Sequence, residues 1–256
     1  MLAAMAAPAP AWAWGKTGHR VTAAIAEDLL NASARAEIRR LLGRETLSEA
    51  AVWPDFMRSD PSPFWQKTSS PLHYVTIPDN RRYRETKPPV KGDAMTALAK
   101  FTSDLQDAQA KQADKALALK FIIHIIGDLH QPLHVGRPGD AGGNLINVTY
   151  FGTRTNLHRL WDSDMIDGEK LSFSEYATLL KQSYMPQEAA ALAGLMVTDP
   201  HVWINESQAI RAELYPKSDT KLGYDYFFSH RDTLRQRLWQ AGVRIAAYLN
   251  MIYDAP

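Results

Sequence analysis

The sequence predicts a mostly α-helical fold: a single helical domain with a few short strands. Three observations predict it. Apolar residues recur at helical spacing along most of the 256 residues. One segment, 145–151, alternates like a short strand or hairpin arm. No internal repeat and no linker divides the chain. With 45% apolar and 22% charged residues the composition is that of an ordinary globular protein, long enough to bury one sizeable core.

The elements follow in order. Val21, Ala24, Ile25, Leu29 and Leu30 form one apolar helix face, and Ile38, Leu41 and Leu42 begin a second that Gly43 ends. Residues 48–58 allow only a short or interrupted helix because of Pro54. Residues 77–93, with Pro78, Pro88 and Pro89, predict a surface loop. Residues 95–109 and 113–129 read as two amphipathic helices, and the Gly/Pro-rich 136–143 as a loop. Asn156 is placed to cap a short helix through Met165. Helical patterns over 199–215 and 223–252 close the chain. Tyr224, Phe227, Phe228, Leu234, Leu238, Ile245, Leu249 and Ile252 fall near one stripe of the last helix.

Composition also excludes classes of function. Lys and Arg number 29 against 28 Asp and Glu, a formal net charge of +1, so no basic excess holds a duplex by bulk electrostatics. There is no cysteine, which removes disulfides, thiolate metal sites and cysteine nucleophiles together. Any metal must sit on nitrogen and oxygen ligands. No apolar run approaches the roughly 18–20 residues of a membrane span. Residues 1–13 are apolar and Ala-rich and end in Ala11-Trp12-Ala13, an A-x-A cleavage pattern. They lack a basic leading region, so the alternatives are a signal-peptide remnant and a low-complexity terminus. The remnant is the expectation: cleavage would leave 14–256 as the working domain, with Trp14 first. An exported chain without cysteine suggests a bacterial periplasmic or secreted protein.

The histidines keep informative company. His124 and Asp128 are four residues apart, so they share one face of an otherwise strongly apolar helix. Burying both is costly unless something pairs with them, and neutral imidazole plus carboxylate suits a metal. Pro132 ends the helix and His134 returns after the turn. His158 and Asp162 repeat the spacing, and His73-Tyr74 lies upstream. Each feature alone is weak, and a lone inward histidine is more often a satisfied core residue. Together they disfavour chance. His130 competes as a ligand, but Pro132 keeps it off a common helical face with His134. His201 and His230 lack acidic partners at ligand spacing and read as structural or surface residues.

Six motifs occur in order: Trp14-Gly15-x-x-Gly18-His19, Trp53-Pro54-Asp55, His73-Tyr74, His124-x3-Asp128-x5-His134, Gly142-Gly143-Asn144 and Asn156-Leu157-His158-x3-Asp162. Their order and spacing resemble the trinuclear-zinc, single-strand-specific nucleases and 3'-nucleotidases, distant relatives of the zinc-dependent phospholipases C, and imply that helical fold. The resemblance implies one zinc on Asp55, His73, His124 and Asp128, and a second on His134, His158 and Asp162. A third would take His19, Asp128 as a bridge, and the amino nitrogen and carbonyl oxygen of Trp14. That last site needs a free α-amine, so the leader and the metal readings support each other.

The implied activity is hydrolysis of single-stranded DNA and RNA to 5'-phosphorylated products, with 3'-nucleotides also attacked. Asp55, Asp128 and Arg58 would carry the catalysis. Zinc ions about 3.5–4 Å apart can activate a water for in-line attack on phosphorus. Arg58 stands where the family generally has Lys, and it either faces the phosphate or is solvated. Tyr74 is placed to stack on a base, or is a plain core aromatic. Asn144 would reach the base edge. Thr76 stands where these nucleases often carry Asp, which unsettles any base preference. The alternatives are a zinc phospholipase C and a non-catalytic metal-binding protein. The second is disfavoured because the ligands span almost 150 residues. No stable protein partner is implied.

Overall fold

The computed structural model describes residues 14–216 and 220–254. Residues 1–13, with the expected cleavage pattern, lie outside them.

The chain enters α1 (Lys16–Leu29) and turns into α2 (Ala32–Leu42) at Asn31, whose side chain accepts from the Ala34 amide at 2.8 Å. Gly43 ends α2 as expected, in the left-handed region at φ +64°. Thr46 and Glu49 close a capping box on α3 (Leu47–Phe56). This helix is short, as Pro54 requires, yet it is not broken at the proline. It passes into a 3-10 turn, Met57–Ser59. The 77–93 segment is not wholly a surface loop. Ile77, Tyr83 and Asp93 are buried, and the Tyr83 hydroxyl donates to Asp93 at 2.8 Å. Asp93 also caps α4 (Ala94–Gln106), so that helix starts one residue early and ends three short of the pattern.

Helix α5 (Gln112–His130) is buried without interruption from Phe121 to His130. A helix apolar on every side can only be central. Beyond it, Asn156 caps α6 (Leu157–Arg159) by accepting from the Arg159 amide at 2.8 Å. The expected single helix here is bulged. A π turn, Leu160–Asp164, separates α6 from α7 (Met165–Gly168). The sequence patterns assign no element to the stretch holding α8 (Phe173–Tyr184) and α9 (Ala189–Leu195). α10 (Pro200–Arg211) and α11 (Tyr224–Tyr253) are the expected closing helices. α2, α3, α4, α10 and α11 surround α5, while α1 packs on α3, α8 and α11.

Strands are few and short. β1 (Val75–Thr76) and β2 (Val135–Gly136) pair in parallel, with Thr76 opposite Gly136. β3 (Asn147–Tyr150) forms an antiparallel hairpin with β4 (Thr153–Asn156), and β5 (Lys221–Leu222) adds in parallel to β3. The strand is shorter than the alternation in 145–151, since Leu145 and Phe151 are exposed. The stripe on the last helix is also shorter than expected. Tyr224 and Phe228 are 80% and 78% exposed, and full burial begins at Leu234. In the first turns of α11 Tyr226 and Phe227 pack on the core, while Tyr224 and Phe228 stay on the open side, Tyr224 against the edge of Phe151 at 4.7 Å. Among the described residues no helix is long and apolar enough to cross a membrane.

Candidate metal centre

Seven separate pieces of chain deliver the histidines and aspartates to one place. His19 comes from α1 and Asp55 from α3. His73 ends a 3-10 turn, Ser70–His73, ahead of β1. His124 and Asp128 project from α5, and His134 from the turn after it. His158 lies on α6 and Asp162 in the π turn. All eight are buried to within 4% exposure. Their ligand atoms form three groups: His19, His124 and Asp128; Asp55, His73 and His124; His134, His158 and Asp162.

Asp128 stands between the first two groups. Its Oδ1 is 3.3 Å from His19 Nε2, while its Oδ2 is 3.2 Å from His73 Nδ1 and 3.3 Å from His124 Nε2. His124 is shared as well, its ring stacked on that of His19 at 3.9 Å. The second i,i+4 pair also closes, with His158 Nε2 at 3.0 Å from Asp162 Oδ2 despite the π turn.

Three of the imidazoles are oriented from behind. His124 Nδ1 donates to the Ala51 carbonyl at 2.7 Å, His134 Nδ1 to the His73 carbonyl at 2.8 Å, and His158 Nδ1 to the Gly142 carbonyl at 2.7 Å. Each Nε2 is thereby left to face the cluster as a lone-pair donor. Both ring nitrogens of His19, His73 Nε2, both oxygens of Asp55, Asp128 Oδ1 and Asp162 Oδ2 are buried without a well-aligned hydrogen bond among the described residues, although Asp55 Oδ1 lies 3.1 Å from Arg58 and Asp162 Oδ2 3.0 Å from His158. Buried polar atoms are normally satisfied. A set of unsatisfied carboxylate and imidazole atoms converging within a few ångströms fits divalent cations with nitrogen and oxygen ligands.

The electrostatics agree. Burial would raise the Asp128 carboxyl, but His124 and His134 hold it well below the ordinary carboxylate range. Burial would raise Asp162 too, and His158 and His134 keep it low. Burial alone would lower His134, yet Asp128 and Asp162 raise it to about 9. His73 goes the other way, to about 4, because burial outweighs its hydrogen bond with Asp128. With no cation between them the carboxylates and His134 hold one another's charge, and a divalent ion would take over that positive role and leave the Nε2 lone pair free to ligate.

The remaining candidates lie around the same cluster. A cavity of about 590 Å³ opens beside the cluster, lined by Arg58, His73, Tyr74, His134, Asn144 and His158 among others. Arg58 is not a solvated surface residue. Its guanidinium is 3.1 Å from Asp55 Oδ1 and its side chain is only 19% exposed. Tyr74 is 40% exposed on the cavity wall and so is not a core aromatic. Asn144 is half-buried there, its amide nitrogen donating to the Ala141 carbonyl at 2.8 Å. Trp14 is fully buried and folds back on Gly18, and the Gly15 amide donates to the Asp162 carbonyl at 2.7 Å. A Cβ at Gly15 would stand 2.2 Å from Ser163 Oγ, which is why glycine follows the tryptophan.

His130 belongs elsewhere, as the proline argument expects. It donates from Nδ1 to the Ile126 carbonyl at 2.7 Å and accepts from Arg244 at 3.1 Å. His201 and His230 join none of the three groups; His230 packs on Tyr226 and Trp161. Sequence reasoning missed Gln131. Its amide donates to Asp162 Oδ1 and accepts from the Leu133 amide, tying the two ends of the third group together. A polar residue immediately before Pro132 was the available signal. Gly142 was noted only as part of a motif. It sits at φ +62°, and a Cβ there would come 2.5 Å from the Leu133 carbonyl, so only glycine lets its own carbonyl reach His158.

Comparison with known proteins bears on this geometry. The family model for S1/P1 nuclease matches residues 14–254. Endonuclease 4 of Arabidopsis thaliana is 31% identical over 280 residues, covering 94% of this chain and 90% of the relative. Nuclease S1 of Aspergillus oryzae is 30% identical over 282 residues, with 96% and 93% covered. Nuclease P1 of Penicillium citrinum is 28% identical over 278 residues, with 94% and 98% covered. Among solved structures, the alpha toxin of Clostridium absonum aligns at a TM-score of 0.46 and 16% identity; it covers 94% of this chain, which spans 63% of the toxin. That looser likeness bears on none of the chemistry. A match over 14–254, together with relatives aligned nearly end to end, places the chain in the S1/P1 nuclease family, as a hydrolase of the endonuclease class.

Proposed function

We propose that this protein is a zinc-dependent phosphodiesterase that cuts single-stranded DNA and RNA to 5'-phosphorylated products and removes phosphate from 3'-nucleotides. The observation that carries the reading is the buried cluster of His and Asp groups, joined through Asp128 and opening on a cavity that also presents Arg58 and Tyr74. Asp55, His73, His124 and Asp128 would hold one ion, and His134, His158 and Asp162 a second. His19, Asp128 and the amine and carbonyl oxygen of Trp14 would hold a third. Zinc held by these residues would supply Lewis acidity to a water and to the phosphate, suited to displacement in line.

The chain's own residues set the geometry. Asp128 offers a different oxygen to each side, which keeps the first and third positions adjacent. Arg58, held by Asp55, lays positive charge along the cavity where phosphoryl oxygens gain charge in the transition state. Tyr74 offers its ring to an unpaired base, and Asn144 offers an amide to the base edge. A ring on the cavity wall accepts bases only out of a stack, which favours single strands. It serves no purpose for a phospholipid headgroup. Processing after Ala13, with export to the periplasm or medium of a bacterium, completes the reading because it frees the Trp14 amine.

The test is a side-by-side assay of zinc-loaded protein beginning at Trp14. Single-stranded DNA and 3'-AMP should be hydrolysed, duplex DNA more slowly, and phosphatidylcholine not at all. Turnover of phosphatidylcholine without turnover of nucleic acid would overturn the assignment. Equal rates on single and double strands would remove the stacking argument.

A further inference from the structure

One arginine on the cavity wall has no part in the reading above. Arg137 follows β2 directly and lines the same cavity as Tyr74 and Thr76. The parallel β1–β2 pair brings it there: Thr76 is in register with Gly136, and the Ile77 amide donates to the Gly136 carbonyl at 2.9 Å. The guanidinium is held in place. Its Nε donates to Asp140 Oδ2 at 2.9 Å, and its Cζ lies 3.8 Å from the centroid of the Tyr215 ring. The Tyr215 hydroxyl donates to the same carboxylate at 2.6 Å, and Asp140 Oδ1 accepts from the Gly143 amide at 3.2 Å. Asp79 reaches the remaining edge only as a long ion pair, Oδ2 to Arg137 Nη1 at 4.0 Å, beyond hydrogen-bond distance, while its Oδ1 accepts from the buried Arg211.

This clamp takes the Nε edge and leaves the Nη edge of a guanidinium whose side chain is 36% exposed. Asp140 already balances its charge, so the remaining edge suits a neutral pair of acceptors better than a second full anion. No carboxylate lines the cavity among the described residues. Its acceptors are hydroxyls, backbone carbonyls and the Asn144 amide. An exocyclic base amine finds only neutral acceptors there, the Asn144 amide oxygen among them, while a pair of acceptors finds a positioned, charged fork.

We propose that Arg137 is a specificity-determining residue that reads the base seated on Tyr74, donating from its Nη groups to O6 and N7 of guanine or hypoxanthine. Adenine presents an amine donor beside N7 and meets the fork donor to donor. The inference rests on the nuclease reading for the seat of the base. Its consequence is a guanine preference set by residues 137, 140 and 215 and by the neutral Thr76.

Calorimetry of zinc-loaded protein with 5'-GMP, 5'-IMP and 5'-AMP tests it, and is readable whether or not any substrate turns over. GMP and IMP should bind about tenfold more tightly than AMP, the lower part of the range for a two-point base contact. Arg137→Lys keeps the charge but not the fork, and should bring the ratio close to one. Thr76→Asp adds an acceptor and should shift the ratio towards AMP. Equal affinities in the parent protein, or an unchanged ratio in Arg137→Lys, would overturn the proposal. Failure to cut single-stranded DNA in a parallel assay would strike the nuclease reading alone, because the binding ratio is measured separately.

Discussion

Asp128 and His130 are two residues apart on the same buried helix end, yet their surroundings assign them opposite roles. Asp128 faces three histidines within 3.3 Å, whereas His130 is satisfied by a carbonyl and an arginine. Asp128→Ala should lose more than one zinc equivalent and essentially all activity, read by metal analysis beside an assay. His130→Gln should keep the full zinc content even if its melting temperature falls. Loss of an equivalent in the His130 variant would mean that the wrong histidine has been set aside. Arg58 touches Asp55 and the cavity together, so its effect belongs on rate. Arg58→Ala should lower kcat by about one to two decades, roughly 1.4–2.7 kcal/mol, with zinc content unchanged, and Arg58→Lys should recover much of it. An unchanged kcat would remove Arg58 from the reaction.

At the scale of elements, α10 and α11 are locked to the end of α5 by a buried ionic network. Glu206 accepts from Arg244 at 2.8 Å and from Arg237 at 2.7 Å, and Arg237 donates on to the His130 carbonyl at 3.1 Å. Both arginine side chains are at most 4% exposed, so removing their shared carboxylate strands two buried cations. Glu206→Gln should cost about 2 kcal/mol, discounted because Glu206 itself is one-third exposed. Burial would raise the Glu206 carboxyl, but hydrogen bonds from Arg244 and Arg237 hold it below its ordinary 4.5. A lowered carboxylate stabilises the fold above its unfolded value and loses that contribution as pH falls through the folded one. The gap in urea stability between parent and variant should therefore be constant at pH 6–8 and close below about 4.5. A gap that widens in acid would contradict the network.

For the whole molecule, the proposed ligands come from α1, α3, α5 and the 157–164 region together, so metal content would report on the start of the chain as well as on the core. Protein beginning at Trp14 should hold about three zinc ions. Protein that retains Ala13 has an amide in place of the amine and should hold about two. Mass spectrometry of the N-terminus beside metal analysis checks this. Three ions with Ala13 in place would sink both the cleavage expectation and the Trp14 site.

The i,i+4 His/Asp pairs and the helical class were legible in the sequence because both are local. His124 and Asp128, and His158 and Asp162, declare a shared face by a spacing of four, and the absence of cysteine leaves only nitrogen and oxygen ligands. Pro132 was enough to set His130 apart from His134. What lay beyond the sequence depends on partners far along the chain. Whether Arg58 faces solvent or the cavity was settled by how α3 packs on α5, and Tyr74 was separated from the core by its place beside β1. The Tyr215 hydroxyl meets Asp140 across 75 residues, and Glu206 meets Arg244 across 38, pairings that no periodicity encodes. Tyr224 and Phe228 satisfy the same helical stripe as Leu234 and Leu238 yet stay in water. A stripe shows which residues can be buried together, and only the packed neighbours decide where the covering surface ends.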